Sequence, residues 1–254
     1  MGFDAHTHLD FSEFDADRAD VVRRAHAAGV GSWIIAGSDP ERWDHTSTIA
    51  AETGGHAIFG VHPWETPGLS AAALRPYLDD LVARPMVGLG EIGLDALHAK
   101  TATERTNQRE GLRAQLAIAR SRDLPVAFHC VRAWPELLVL LERDGLPKGG
   151  GMMHAWSGPP ELVARCLSLG LHVSFAPLVL NDRAKKSRAS VVHVPDERLL
   201  IETDCPNMKP RGEVRGEPAH LVLVAAEVAR LRGVSADHVL AVTERNARGL
   251  FRLG

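Results

Sequence analysis

The segment Pro125-Val126-Ala127-Phe128-His129-Cys130 is a short apolar run that ends in a histidine and a cysteine. It lies between two longer amphipathic segments, Glu104–Arg122 and Ala133–Arg143. In the first of these segments Leu112 and Leu116 recur at the spacing of one helix face. A short apolar strand between two helices is the repeating unit of a parallel sheet, because parallel strands need crossover connections.

The same alternation runs along the whole chain. Eight short apolar segments are strand candidates: Gly2–His6, Ser32–Gly37, Ala57–His62, Met86–Glu91, Pro125–Cys130, Gly151–His154, Leu171–Ala176 and Leu199–Asp204. The helical patterns are Asp17–Ala28, Thr66–Tyr77, Glu104–Arg122, Ala133–Arg143, Pro160–Leu169, Pro218–Arg232 and Ala236–Leu250. Eight such strands in 254 residues predict a TIM (β/α)8 barrel, an α/β fold that forms a single domain over residues 1–254. The alternative is an open doubly wound sheet, which the absence of a glycine-rich dinucleotide motif disfavours.

The composition narrows the class of protein. The formal net charge is -3, whereas proteins dedicated to binding nucleic acid usually carry a basic surplus. No apolar run reaches the roughly 18 residues of a membrane helix, and no export signal is apparent at the start of the sequence. The three cysteines form no Cys-x-x-Cys pair. We therefore expect a cytoplasmic protein with reduced thiols, no membrane contact and no obligate protein partner.

Residues that can bind metal ions stand at the ends of five strand candidates. His6 and His8 lie two residues apart, so their side chains point the same way on an extended strand. The others are Glu91, His129, His154 and Asp204, at the ends of the fourth, fifth, sixth and eighth candidates. Because the carboxyl ends of all barrel strands lie at one mouth, these six side chains are expected to converge. Imidazoles and carboxylates together suit zinc, manganese, cobalt or nickel, and they fit calcium poorly.

The number of candidate ligands predicts two metal ions rather than one. A single catalytic zinc uses about three protein ligands and keeps an open position, so six are too many for one ion. We expect two divalent ions, drawn from zinc, magnesium, manganese, cobalt or nickel, with Glu91 as the bridge. No lysine ends a strand candidate, so a carbamylated lysine is not expected in that role. The predicted arrangement places His6, His8 and Asp204 on one ion and His129 and His154 on the other.

Four motifs carry a resemblance to a known family. They are Asp4-Ala5-His6-Thr7-His8-Leu9-Asp10, Gly60-Val61-His62-Pro63, Gly90-Glu91-Ile92-Gly93-Leu94-Asp95 and Glu202-Thr203-Asp204-Cys205-Pro206. Together they resemble the signatures of the TatD family of metal-dependent deoxyribonucleases, and Arg211-Gly212, Glu217-Pro218 and Asn246-Ala247-Arg248 match its C-terminal pattern. The resemblance covers essentially the whole chain. It implies a TIM-barrel hydrolase of the amidohydrolase superfamily with a divalent metal centre, and phosphodiester hydrolysis in DNA that includes 3′-to-5′ exonuclease activity.

The expected reaction is attack on phosphorus by a water molecule that the metal ions activate. Asp204 and Glu91 are the expected catalytic residues. Asp204 would bind metal and also accept the proton of the water, a double role that the resemblance supports. DNA or another phosphodiester would bind as a transient substrate.

Four further residues are candidates for substrate contacts: His62, Arg132, Glu202 and Arg211. His62 could contact substrate or be fixed by the turn at Pro63. Arg132 and Arg211 could grip a phosphate through the guanidinium or be solvated surface residues. Glu202 shares the face of Asp204 on an extended strand, so it could orient a ligand, hold a weak third ion or accept a hydrogen bond behind the ligands.

Two other functions remain open at this point. One is a metal-dependent lactonase or amidase of the amidohydrolase superfamily, which the lack of a bridging lysine disfavours. The other is a barrel that binds metal without catalysis, which the complete set of ligands disfavours.

Overall fold

The computed structural model describes residues 1–254 and contains eight parallel strands. They are β1 (Gly2–Thr7), β2 (Val30–Gly37), β3 (His56–Phe59), β4 (Gly88–Asp95), β5 (Val126–Val131), β6 (Gly151–Met153), β7 (His172–Phe175) and β8 (Leu199–Ile201). Each strand pairs with the next one in sequence, in the order β1 to β8. This order confirms the predicted barrel, and the doubly wound alternative is wrong because its strand order reverses at a switch point.

A helix lies in every connection between consecutive strands, and two more follow β8. They are α1 (Arg18–Ala27), α2 (Trp43–Thr53), α3 (Ala71–Ala83), α4 (Ala102–Arg122), α5 (Trp134–Asp144), α6 (Val163–Ser168), α7 (Lys185–Ser190), α8 (Leu221–Arg232) and α9 (Ala236–Phe251). The sequence patterns did not predict α2 and α7. The helix predicted over Thr66–Tyr77 is wrong at its start, because Ser70 caps α3 by accepting a hydrogen bond from the Ala73 N–H. No helix is long and apolar enough to cross a membrane.

The fourth strand differs from its predicted bounds in a way that matters for the site. It continues to Asp95 instead of ending at Glu91, so Glu91 lies in the middle of the strand. Gly93 pairs with His129 of β5, and a Cβ atom on Gly93 would overlap the backbone carbonyl of His129. The missing side chain therefore lets β4 and β5 approach closely, as glycine does where two backbones meet. This approach places Glu91 and Asp95 beside His129.

Backbone hydrogen bonds join the first strand to the segment that follows the last. The Asp204 N–H donates to the His6 carbonyl (2.9 Å), and the His8 N–H donates to the Cys205 carbonyl (2.8 Å). The buried carboxylate of Asp4 reinforces this junction, because it accepts hydrogen bonds from both the N–H and the hydroxyl of Thr203. We call these contacts the β1–β8 junction. It brings the N-terminal histidines and Asp204 together although they are about 200 residues apart in sequence.

An apolar layer fills the barrel below the polar side chains. It contains Ile34, Ile58, Ala127, Met152 and Leu200 from five different strands, which can meet only in the interior. The C-terminal part of α9 packs against this layer through Ala247, Leu250 and Phe251. Since side chains two residues apart share a face of a strand, His129 stands directly above Ala127 and His154 above Met152. The apolar layer therefore forms the floor of the functional site.

The β1–β8 junction makes a testable contribution to stability. Asp4→Ala should lower the free energy of unfolding by about 1–3 kcal/mol, because it leaves the buried Thr203 N–H and hydroxyl without their acceptor. Asp4→Asn is the matched control: burial raises the pKa of Asp4, so a neutral group of the same shape that keeps an oxygen acceptor should be tolerated. Urea unfolding followed by circular dichroism measures both variants. Equal stability of Asp4→Ala and the wild-type protein would contradict this role.

Candidate metal centre

The fold brings all six predicted metal ligands together at the carboxyl mouth of the barrel. They are His6, His8, Glu91, His129, His154 and Asp204, and each has an exposed fraction of 7% or less. Glu91 lies at the centre of the group, where its side chain contacts five imidazoles. Such a concentration of buried ionisable groups is uncommon outside functional sites, because burying charges that are not paired or bound to metal is costly.

The two carboxylate oxygens of Glu91 face two different sets of side chains. Oε1 lies 2.6 Å from His129 Nδ1, 2.8 Å from His154 Nε2 and 3.2 Å from His62 Nε2. Oε2 lies 3.2 Å from His6 Nε2 and 3.7 Å from His8 Nε2. His8 Nε2 in turn lies 3.3 Å from Asp204 Oδ1. One carboxylate thus lies between a group formed by His6, His8 and Asp204 and a second group formed by His129, His154 and His62.

Hydrogen bonds on the outer side of the cluster orient three of the imidazoles. His8 Nδ1 donates to the Ala36 carbonyl (3.0 Å), and His154 Nδ1 donates to Glu202 Oε1 (2.9 Å). His129 Nε2 donates to Asp95 Oδ2 (3.2 Å). In each ring the other nitrogen therefore points towards the centre of the cluster, where it can bind a metal ion once it is deprotonated. Histidines that ligate metals usually show this arrangement, because the outer partner fixes the tautomer and the ring orientation.

The clustered groups shift one another's pKa values. Burial raises the pKa of Glu91, but the charges of His154 and His62 and the hydrogen bond from His129 outweigh burial and hold it well below its usual value. Burial lowers the pKa of His8, yet the adjacent carboxylate of Asp204 raises it to about 9. At His62 burial dominates and lowers the pKa to about 4. The carboxylates are therefore ionised at neutral pH, and the cluster is a place where positive charge is favourable.

Two buried atoms in the cluster have no hydrogen-bond partner, namely Asp204 Oδ1 and His6 Nδ1. Buried polar atoms without partners are rare in native proteins unless an ion, a water molecule or a ligand satisfies them. Three groups of side chains have their nitrogen and oxygen atoms within 4.8 Å of one another: His6–His8–Asp204, His6–Glu91–His154 and His62–Glu91–His129. Imidazoles with carboxylates are a suitable donor set for divalent transition metals. The residues present therefore fit a metal centre.

The four candidates for substrate contacts fall in different places. His62 lies in the loop after β3, inside the cluster and in contact with Glu91, with its Nδ1 accepting a hydrogen bond from the Trp64 N–H (3.1 Å). Glu202 is fully buried behind His154, and its Oε1 also accepts from the Ala155 N–H (2.7 Å), which fits the orienting role. Arg132 is exposed and does not line the cavity above the cluster. Arg211 is exposed and lines a neighbouring cavity.

Three buried residues that support the cluster were not predicted from the sequence. Asp95 orients His129 and accepts a hydrogen bond from the Trp64 indole (2.7 Å). Its spacing of four residues from Glu91 is an available signal, because positions i and i+4 share one face of a strand. Gln108 of α4 accepts from the Asp95 N–H and donates to the Pro63 carbonyl, and Gln115 binds both backbone groups of Val61. These glutamines hold the loop that carries His62.

A cavity of about 520 Å³ opens over the cluster to solvent. Five of the six predicted ligands line it, whereas His6 lies underneath. Its rim includes Trp64, which is half-exposed, and the loop residues Asn207 and Met208. The volume is that of a pocket for a small ligand or one end of a larger one.

Comparison with known proteins assigns the chain to a family. A family model described as TatD related DNase matches residues 3–252. The chain belongs to the TatD family. This match confirms the resemblance carried by the four sequence motifs.

Relatives of this TatD-family protein match it over nearly their whole length. The uncharacterized metal-dependent hydrolase YabD of Bacillus subtilis (strain 168) is 32% identical and covers 100% of both chains. The 3'-5' ssDNA/RNA exonuclease TatD of Escherichia coli (strain K12) is 33% identical and covers 98% of both. The solved structure of the TatD homologue YJJV from Escherichia coli K12 matches with a TM-score of 0.91 and 30% identity, covering 100% of this chain and 98% of that one. The protein is therefore a metal-dependent hydrolase acting on ester bonds, as predicted.

Metal binding should depend on Glu91 and not on acidic residues elsewhere in the cavity. Wild-type protein stripped with chelator should take up Mn²⁺ or Zn²⁺, and saturation at about 100 times Kd should stabilise it by about 2.7 kcal/mol. Glu91→Gln should lower the bound metal by at least one equivalent and reduce the rise in Tm, because the bridging charge is lost. Elemental analysis and thermal unfolding measure the two effects.

Glu65→Gln provides the control for this experiment. Glu65 lines the same cavity but is exposed and lies outside the cluster, so its variant should bind metal like the wild-type protein. Equal loss of metal in both variants, or full metal content in Glu91→Gln, would argue against the central position of Glu91.

Proposed function

We propose that this TatD-family protein is a 3′-to-5′ exonuclease that hydrolyses single-stranded nucleic acid with two divalent metal ions. The observation that carries the proposal is the position of Glu91, whose two oxygens face two separate sets of ligands at the floor of one cavity. Sites with two metal ions bridged by one carboxylate are typical of enzymes that cleave phosphate esters.

The proposed ligands fall into two groups, according to which carboxylate oxygen of Glu91 they face. His6, His8 and Asp204 would hold one ion beside Oε2, and His129 and His154 would hold the other beside Oε1. His62 also contacts Oε1 and could complete the second set or touch substrate. Divalent ions bound there would supply Lewis-acid chemistry, lowering the pKa of water and neutralising charge on phosphoryl oxygens.

The protein's own residues would position the reactants and move the proton. The neighbour of Asp204 Oδ1 is His8 Nε2, 3.3 Å away; with that nitrogen deprotonated to ligate metal, Oδ1 would be free to take a proton from the attacking water. Glu202 and Asp95 keep His154 and His129 in fixed orientations through their outer nitrogens. Addition of water across one P–O bond leaves a phosphate group on one fragment and a hydroxyl group on the other.

The depth of the cluster favours the end of a strand as substrate. All the proposed ligands are nearly inaccessible to solvent and lie below a cavity of about 520 Å³. A terminal nucleotide can enter such a cavity, whereas an internal bond of a duplex cannot reach the floor without deforming the duplex. The Escherichia coli relative is named a 3'-5' ssDNA/RNA exonuclease, which supports the proposal of single-stranded substrates cleaved from the 3′ end.

The proposal predicts the behaviour of one substitution in particular. Asp204→Asn should lower kcat on a single-stranded oligonucleotide by about 10²–10⁴-fold, because the neutral amide cannot accept the proton. The fold should survive, since the side chain keeps its shape. Gel analysis of a 5′-labelled strand, supplied with Mg²⁺, Mn²⁺ or Zn²⁺, should show stepwise shortening from the 3′ end by the wild-type protein.

Asp39→Asn is the control for that substitution. Asp39 lines the same cavity but stands outside the cluster, where it caps a turn by accepting from the Glu41 N–H, a role that asparagine also fills. Its variant should be as active as the wild-type protein. Near-normal activity of Asp204→Asn would contradict its role. Hydrolysis of lactones or amides by the wild-type protein with no cleavage of any phosphodiester would contradict the nuclease itself.

A further inference from the structure

A second cavity lies at the same mouth of the barrel and carries positive charge. It has a volume of about 530 Å³ and lies between the loop after β7 and the segment after β8. Its charged lining residues are Arg183, Lys209, Arg211 and Asp182. We call it the basic cavity. It contrasts with a chain whose net charge is -3 and with a neighbouring cavity rich in carboxylates.

Two of the three cations of this basic cavity are free of partners, and the third, Lys209, donates one hydrogen bond to the Val214 carbonyl (2.9 Å). Fifteen of the chain's arginines are ion-paired to carboxylates, and most of the others donate to carbonyl groups. The guanidiniums of Arg183 and Arg211 contact neither kind of oxygen. Asp182, the acidic residue of the lining, is paired instead with Arg188 at 3.3 Å. Arg215, in the same segment as Arg211, is held by Asp17 and Glu217 and is not available.

The basic cavity adjoins the metal cavity through one short stretch of chain. Asn207 and Met208 line the metal cavity, and Lys209 and Arg211 line the basic one. Lys209 follows Asp204 by five residues, so their Cα atoms are at most about 18 Å apart. At about 3.4 Å per nucleotide along one strand of a duplex, that span corresponds to about five nucleotides or fewer.

We propose that the basic cavity binds the phosphodiester backbone of a single strand whose 3′ end lies in the metal cavity. The inference rests on the proposed exonuclease function and extends it by naming a substrate longer than a dinucleotide. A guanidinium binds phosphate oxygens through paired hydrogen bonds. When the three cationic side chains neutralise phosphates of one strand, they displace the counterions condensed on that strand. The protein then engages a polyanion locally despite its negative net charge.

The test compares oligonucleotides of increasing length. For the wild-type protein, KM should fall as length grows from two to about five or six nucleotides and then level off. Three phosphate contacts give a salt slope near −2, so KM for a 12-mer should rise about 20-fold between 50 and 200 mM salt. In a variant combining Arg183→Ala, Lys209→Ala and Arg211→Ala, the ratio of kcat/KM for the 12-mer to that for the dinucleotide should fall about 10-fold, with a shallower salt slope.

The matched control is Arg245→Ala. Arg245 is another arginine without a carboxylate or carbonyl partner, but it belongs to α9 and lines a cavity with Gly149 and Gly150, which precede β6 at the opposite end of the barrel. This variant removes one cation, as each substitution of the triple variant does, and should keep the wild-type length and salt dependence. Should the triple variant fail to fold, Arg183→Gln combined with Arg211→Gln repeats the comparison at two exposed positions.

Binding measured apart from activity separates this inference from the proposed function. Fluorescence anisotropy of a labelled 12-mer with EDTA present reports the basic cavity alone. Weaker binding by the triple variant supports strand binding at the basic cavity, even if the wild-type protein cleaves no phosphodiester. That lack of cleavage would refute only the proposed nuclease function. Equal binding and equal length dependence in the wild-type protein and the triple variant, or no binding by either, would overturn the inference whatever the activity.

Discussion

The junction between β1 and the segment after β8 is the constraint on which the functional site depends. Two backbone hydrogen bonds and the buried carboxylate of Asp4 bring the two ends of the sheet together. The same contacts set His6 and His8 beside Asp204, so one structural element closes the barrel and assembles half of the metal centre. The other half is assembled where Gly93 lets β4 and β5 approach, which places Glu91 beside His129. Folding and site formation are therefore the same event in this chain.

The buried negative charge of Glu91 is the charge that the rest of the site must compensate. A carboxylate buried this deeply costs several kcal/mol unless charge or hydrogen bonds compensate it. Five imidazoles surround it, and the charges of His154 and His62 with the hydrogen bond from His129 keep its pKa low in the absence of metal. When metal ions bind, they take over this compensation, because neutral imidazoles and ionised carboxylates are the forms that ligate. The charge of Glu91 is thus compensated both with and without ions.

Much of this organisation could be predicted from the sequence, because barrel strands are short apolar segments and their polar ends share one mouth. Each of the eight strands overlaps a predicted apolar run, although β4 continues to Asp95, and the six expected ligands converge. Other features depend on tertiary contacts that no local pattern encodes. The helix Trp43–Thr53 is rich in threonine and shows little apolar periodicity, so it was not predicted. His62 enters the cluster because Gln115, far along the chain, binds the backbone of Val61. The placement of Arg132 and Arg211 depends on loop conformation, which side-chain chemistry alone does not determine.

Anomalous X-ray diffraction from crystals grown with Mn²⁺ tests the central claim most directly. Two peaks are expected, one on either side of the Glu91 carboxylate, with His6, His8 and Asp204 binding the first ion and His129 and His154 the second. Ions bound elsewhere, or a single ion that Glu91 does not touch, would contradict it.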